Sequence, residues 1–260
     1  MLFQLKIKLA KTYFLAVVFS LLINEASVAQ TTNHDSCIHG FIAQGLINVD
    51  GSDFVNNDGD LSAELTEVGL NGSYQLNSLF RLTSQVVYLD GGNRYDEGFR
   101  VDYALLDWSL YQAETWEVNV YLGRFKNNHW LYSGKRDVPF TRPSIILPQS
   151  IYFDGFRDIA VGADGAVLKI SHSSDLLGDF DFNVSSGTTT ISKEQTQILY
   201  SEQALGQMSN SHDVQTSLYW QPAGSSWRFG LALLDADFGY EAQEQGDRFF
   251  ETKMTFNELW

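Results

Sequence analysis

The sequence predicts an all-β fold, a transmembrane antiparallel β-barrel of about ten strands that follows an N-terminal export signal. Three observations carry this expectation. Apolar and polar residues alternate with period two through ten separate runs, the connections between runs alternate between short and long, and aromatic residues collect beside the short ones.

The first 29 residues stand apart from the fold. Lys6, Lys8 and Lys11 give a positive start, residues 13–23 (YFLAVVFSLLI) an apolar run, and Ser27-Val28-Ala29 the small residues that precede signal cleavage. The run is too short for a membrane-spanning helix, which needs about 20 residues. Residues 1–29 therefore read as a cleavable export signal and 30–260 as a single β-domain. Without the signal, 14 Lys and Arg face 31 Asp and Glu, a formal charge of about −17 that excludes nucleic acid as a partner. The chain has one cysteine, Cys37, so no disulfide forms within it. No window of 18 apolar residues follows residue 30, which leaves strands as the only route across a bilayer.

Residues 68–76 show the alternation. Val68, Leu70, Gly72, Tyr74 and Leu76 share one face, and Gly69, Asn71, Ser73 and Gln75 share the other. After Asn77-Ser78 the pattern restarts with Phe80, Leu82, Ser84, Val86 and Tyr88 against Arg81, Thr83 and Gln85, which makes a hairpin. Further runs lie at about 38–49, 103–111, 115–124, 164–172, 179–186, 212–220, 226–235 and 249–260. Short connections are expected near 77–78, 112–114, 173–178 and 221–225, and long ones at 50–64, 90–99, 126–162, 187–211 and 236–248. A barrel with one end in the periplasm and the other outside the cell has this asymmetry, whereas a Greek-key sandwich has no reason to. Tyr74 and Phe80, Trp108 and Trp116, and Trp220 and Trp227 flank short turns, where an aromatic belt meets the membrane interface. A mean hydropathy of −0.17 fits strands with one face in lipid and one in water.

Catalytic and metal motifs are sparse. There is no G-x-S-x-G, H-E-x-x-H or C-x-x-C. The five histidines (His34, His39, His129, His172, His212) are scattered; His129 with Asp137 is the one pair resembling an outer-rim Asp–His dyad. Cys37 beside His34 and His39 reads as a polar N-terminal segment rather than a metal site. The acidic run DGSDFVNNDGD, residues 50–60, fails EF-hand spacing, because positions 1 and 12 would be Phe54 and Leu65, and reads as a solvated loop, with loose binding of divalent cations as the alternative. No cofactor is implied.

The stretch KRDVPFTRPSIILPQSIYFDGFRD, residues 135–158, breaks the pattern. It holds Pro139, Pro143 and Pro148, three of the chain's four prolines, which fix φ and lower the entropy lost on ordering. Between Phe125 and Ala160 lie Lys126, Lys135, Arg136, Arg142 and Arg157 against Asp137, Asp154 and Asp158, a positive balance in an acidic chain. Ile145, Ile146, Leu147, Ile151 and Phe153 are candidate anchors. As the longest connection, it is the segment in which function is expected.

This stretch, with the preceding GRFKNNHWLYSG and the signal peptide, resembles the Gram-negative outer-membrane porin superfamily, in particular the porin-like proteins of marine γ-proteobacteria. The resemblance implies a channel for passive diffusion of small hydrophilic solutes and ions through the cell outer membrane, without catalysis. It implies that the third external loop (126–162) folds inward, placing Lys135, Arg136, Asp137, Arg142, Arg157 and Asp158 at a constriction with Glu67, Arg81 and Arg124 as charges on the lumen wall. Fixed charge in a narrow aqueous pore concentrates counter-ions and orients dipolar solutes. Porins of this type have 16 strands and often assemble as trimers. Ten strands ending at Trp260 match the front part of such a barrel, so either the chain is truncated or ten strands close on their own, with ETKMTFNELW as the last. Two other readings remain: a ten-stranded outer-membrane enzyme or adhesin-like barrel acting through its loops, and a secreted soluble β-sandwich.

Overall fold

The structure, a computed structural model, describes residues 36–52, 54–56, 59–94, 97–128, 133–134, 138–147, 162–200, 204–241 and 250–259. Among these residues it is all-β with one α-helix. The strands are β1 (Ser36–Asn48), β2 (Leu61–Gln75), β3 (Phe80–Asp90), β4 (Gly98–Gln112), β5 (Trp116–Lys126), β6 (Gly162–Ser174), β7 (Gly178–Thr188), β8 (Gln207–Gln221), β9 (Phe229–Glu241) and β10 (Phe250–Leu259); the helix is α1 (Lys193–Tyr200). Each run of alternation corresponds to one of these strands, with ends that differ by up to three residues where a run overshoots, as at 226–235, and with several strands extending well beyond the expected run, as β2 does. No helix among the described residues is long and apolar enough to cross a membrane, which says nothing about strands.

The strands form one sheet in sequence order, β1 through β10, and every neighbouring pair from β2 to β10 is antiparallel. A meander of this kind puts successive connections at opposite ends. The segments 76–79, 113–115, 175–177 and 222–228 lie at one end, and the described parts of 49–60, 91–97, 127–161 and 189–206 leave the strands at the other. The first of the short turns is closed by an Asx motif. Asn77 Oδ1 accepts from the backbone N–H of Leu79 at 2.9 Å and of Phe80 at 3.0 Å, satisfying two donors that the ladder leaves free.

The two faces of the sheet differ in an unusual direction. Leu70, Leu122 and Leu231 are 55%, 42% and 44% exposed, while Gln85, Asn119 and Ser217 are 2%, 6% and 2% exposed. The register makes this a property of whole rows. Val120, Leu168, Val184, Thr216 and Leu233 are successive cross-strand partners on the exposed face, and Asn119, Lys169, Asn183 and Ser217 are successive partners on the buried one. A water-soluble sheet with one solvated face shows the opposite arrangement.

Near the short turns the exposed face carries a continuous aromatic row. Trp116, His172, Phe180, Trp220 and Phe229 are direct cross-strand partners from β5 to β9, with successive ring centroids 4.1, 6.4, 6.1 and 5.7 Å apart. Phe80 and Trp108 make a further pair at 5.7 Å. Phe229 takes the place expected of Trp227, which lies before β9 begins. The indole N–H of Trp220 donates to the Leu177 carbonyl at 2.9 Å, and His172 Nδ1 lies 2.9 Å from the Thr115 carbonyl.

Three register shifts interrupt the ladders, between Gln85 and Val86, between Ser109 and Tyr111, and between Asn210 and His212. The first leaves Asp102 as the extra residue of β4, because Gln85 pairs with Tyr103 and Val86 with Val101. The bulge turns Asp102 into the buried face. There it accepts from Gln85 Nε2 at 2.6 Å and forms an ion pair with the Lys126 ammonium.

The buried face also carries local apolar clusters. Phe125, Ala163 and Val167 form one such cluster, and Phe125 is almost fully buried. Truncation of Phe125 to alanine is expected to cost about 3–5 kcal/mol. A guanidinium unfolding midpoint of the Phe125→Ala variant would measure this, and an unchanged midpoint would show that the cluster does not stabilise the fold.

Candidate functional site

The long connection 127–161 lies partly on the buried face of the sheet. Among its described residues three contacts fix it there. The Tyr219 hydroxyl of β8 donates to the Asn128 carbonyl at 2.6 Å, just past the end of β5. Val138 packs on a cluster of Phe41, Val87 and Leu89 from β1 and β3. Arg142 Nη2 donates to both carboxylate oxygens of Glu67 at 2.6 Å.

The local sequence explains the path between these contacts. Pro139 opens a short 3-10 turn, residues 139–141, closed by the Thr141 N–H and hydroxyl, which both donate to the Val138 carbonyl. Proline at the first position of such a turn gives up no useful donor and has its φ already set. Arg142 and Val138 flank the turn, so an ionic contact and an apolar one are made four residues apart. Phe140 meets the edge of Phe41 with centroids 6.4 Å apart. Phe41 in turn lies over Gly69 of β2, where an added Cβ would come within 2.3 Å of its ring. Glycine at 69 is what leaves room for the ring on this face.

The Glu67–Arg142 pair is sheltered, with side-chain exposures of 13% and 11%. Charge-assisted contacts in such surroundings are stronger than surface pairs, and each partner is costly to leave without the other. Beside the pair is a cavity of about 370 Å³, lined among others by Gln44, Leu65, Glu67, Arg94, Pro139 and Arg142. Two arginines and a glutamate therefore border one space with room for several waters or a small solute. Arg94 stacks on the Phe54 ring at 4.7 Å and donates to the Gly91 carbonyl, which fixes its position on the rim. This arrangement can orient a small charged or dipolar solute; among the described residues no cluster of His, Cys, Asp and Glu suited to a metal accompanies it.

The sequence-predicted site residues separate into three groups. Glu67 and Arg142, expected on the wall and in the loop, meet directly. Arg81 is on the same face as Glu67 but far along β3, paired in register with Gln75, and its Nε donates to Gln75 Oε1 at 2.8 Å. Eight residues of strand separate the Gln75–Arg81 and Glu67–Leu89 pairs, roughly 27 Å at the usual rise. Arg124 departs from the expectation that it lines the wall with Glu67 and Arg81. Its register partners are Ala104 and Asp164, so it shares the exposed face with Leu122, where it bonds Asp164 at 3.2 Å and the Val101 carbonyl at 2.9 Å. Strict alternation along β5 decides this, because Leu122 and Arg124 are two residues apart. Lys135, Arg136, Asp137, Arg157 and Asp158 lie outside the described residues, as do His129, Ile151 and Phe153. Of the candidate anchors that are described, Leu147 is buried and Ile145 exposed.

Several contributors had little sequence signal. Tyr219 falls on the polar side of β8's alternation, but its bond to Asn128 spans 91 positions and has no local signature. Asp102 is misdirected by simple alternation, which places it on the exposed face; the bulge reverses that.

Comparison with protein-family models, with curated proteins and with solved structures finds no match to this chain.

A double-mutant cycle on Glu67→Ala and Arg142→Ala is expected to give a coupling energy of about 3 kcal/mol, because either single change strands a sheltered charge. Additive single-variant effects in denaturant unfolding would mean the pair does not hold the loop.

Proposed function

We propose that the chain is an outer-membrane β-barrel protein that conducts small hydrophilic solutes and ions passively, with the connection 127–161 as its constriction. The observation that carries this reading is the polarity inversion of the sheet. Leucine and valine rows on the exposed face need an apolar solvent, and asparagine, glutamine and serine rows on the buried face need water or polar partners. Among the described residues, the side-chain Oδ1 atoms of Asp107, Asn119 and Asn183, buried on that face, find no protein partner, which suits a wet interior.

Other features support the same reading. The aromatic row at the short-turn end matches the interfacial belt of a membrane barrel. One connection that touches Tyr219 on β8 and Glu67 on β2 favours a sheet curled around it, as a barrel with an inward-folded loop would be. Strands can cross hydrocarbon only when their edges are paired, so closure is part of the proposal, whether by these ten strands or by more in a longer barrel and its oligomer. Within the pore, the closed Glu67–Arg142 ion pair with Arg94 beside it would leave a net positive charge on this part of the wall, selecting solutes by charge as well as size.

Two measurements test the proposal. Arginine at Leu168, in the middle of the exposed row, is expected to cost about 2–4 kcal/mol in a bilayer; a near-neutral Leu168→Arg variant would favour a water-soluble sheet. Purified, folded protein in a planar bilayer should give discrete conductance steps. Inserted, heat-modifiable protein that stays silent would favour a barrel acting through its external loops.

A further inference from the structure

Strand β9 departs from the wall described above. On its buried face it carries Ala232, Leu234, Ala236, Phe238 and Tyr240, where neighbouring β8 carries Asp213, Gln215 and Ser217. A wall bathed in water has no use for such a row. The row is covered by the connection 189–206: its Ile191 and Ala204, with Met208 of β8, join Leu234, Ala236, Phe238 and Tyr240 in one buried cluster, and Leu199 of α1 packs against it.

The described residues of the connection are tied down at both ends and through α1. At its start, the Thr189 N–H donates to Asn210 Oδ1 at 3.2 Å and the Thr189 hydroxyl to the Gly162 carbonyl at 3.2 Å. Ser192 caps α1, accepting from the Gln195 N–H at 3.1 Å. Thr196, wholly buried, donates to the Ser192 carbonyl and accepts from the Met208 N–H at 3.1 Å. At its end, the Gly206 N–H donates to the Tyr240 hydroxyl at 2.9 Å, and Gln207 Nε2 donates to the Ile191 carbonyl at 2.8 Å. Gln195 and Thr196 face the sheet, whereas Ile198 and Tyr200 remain exposed.

We propose that the connection 189–206 is a second, separately docked constriction, in which α1 lies on the lumen side of β8 and β9 and Ile198 and Tyr200 set part of the bore. The inference rests on the pore reading and deepens it by naming a second determinant of solute size. The two inward segments are held by different physics. The Glu67–Arg142 contact is ionic, whereas α1 is held by apolar burial and neutral hydrogen bonds, which salt does not screen. Loosening one therefore leaves the other in place.

The experiment compares parent protein with a variant in which residues 192–203 are replaced by a short Gly-Ser linker, and with Leu199→Gln as a milder change. Heat-modifiable gel migration checks that each folds. Both changes are expected to raise single-channel conductance, the linker variant by roughly two-fold or more, and to admit larger neutral sugars in liposome swelling. A silent parent with a conducting linker variant would also support the inference, as complete occlusion. Conductance and sugar cut-off identical to those of a conducting parent would overturn the second constriction and leave the pore reading standing. Folded, inserted protein that is silent in all three forms would overturn the pore reading and this inference with it.

Discussion

Strand register is the constraint on which the rest of this structure depends. Side chains alternate with period two, so a one-residue slip in any ladder would exchange the asparagine and serine rows for the leucine and valine rows. Eight consecutive antiparallel ladders hold the two sets apart from β2 to β10. The three bulges are the places where this rule is locally broken. At Asp102 the break has a purpose visible in its partners, since Gln85 and Lys126 receive a carboxylate that unbroken alternation would have turned outward.

On this frame the connections do the work that a core does elsewhere. The polar face supplies few apolar contacts of its own, and apolar clusters occur where a loop or strand end covers it: Val138 over Phe41, Val87 and Leu89, and α1 with its flanks over β9. The same segments that stabilise that face therefore narrow the space beside it. In the proposed pore, stability and bore would therefore be coupled, and a loop variant that widened the passage would also weaken the fold. The ionic latch between Arg142 and Glu67 sits at the end of a proline-stiffened turn, so much of the entropy of ordering it is already lost in the free chain.

The sheet was legible in the sequence to a large extent. Alternation in segments such as VGLNGSYQL marks both the strand and the face of each residue, and that local period needs no tertiary information. The pairing of Glu67 with Arg142 was legible only as membership of two groups, wall and loop; the contact joins residues 75 positions apart. Arg124 shows a reading that overrode its own pattern, since the period that put Leu122 outside also put Arg124 there. Helix α1 had a signal that went unused: Ser192-Lys193-Glu194-Gln195 has the capping-box pattern. The apolar row of β9 was ambiguous because Leu231 to Leu234 is apolar on both faces, and only the docking of α1 explains the second.

The central claim is that the exposed rows face lipid and the buried rows face water. Single cysteines placed from position 214 to 219 along β8 in a Cys37→Ser background, each carrying a spin label and reconstituted in lipid, test it most directly. The account predicts period-two behaviour. Labels at 214, 216 and 218 would be reached by oxygen dissolved in the bilayer, and labels at 215, 217 and 219 by a water-soluble relaxation agent. Access of the water-soluble agent to 214, 216 and 218 would contradict it.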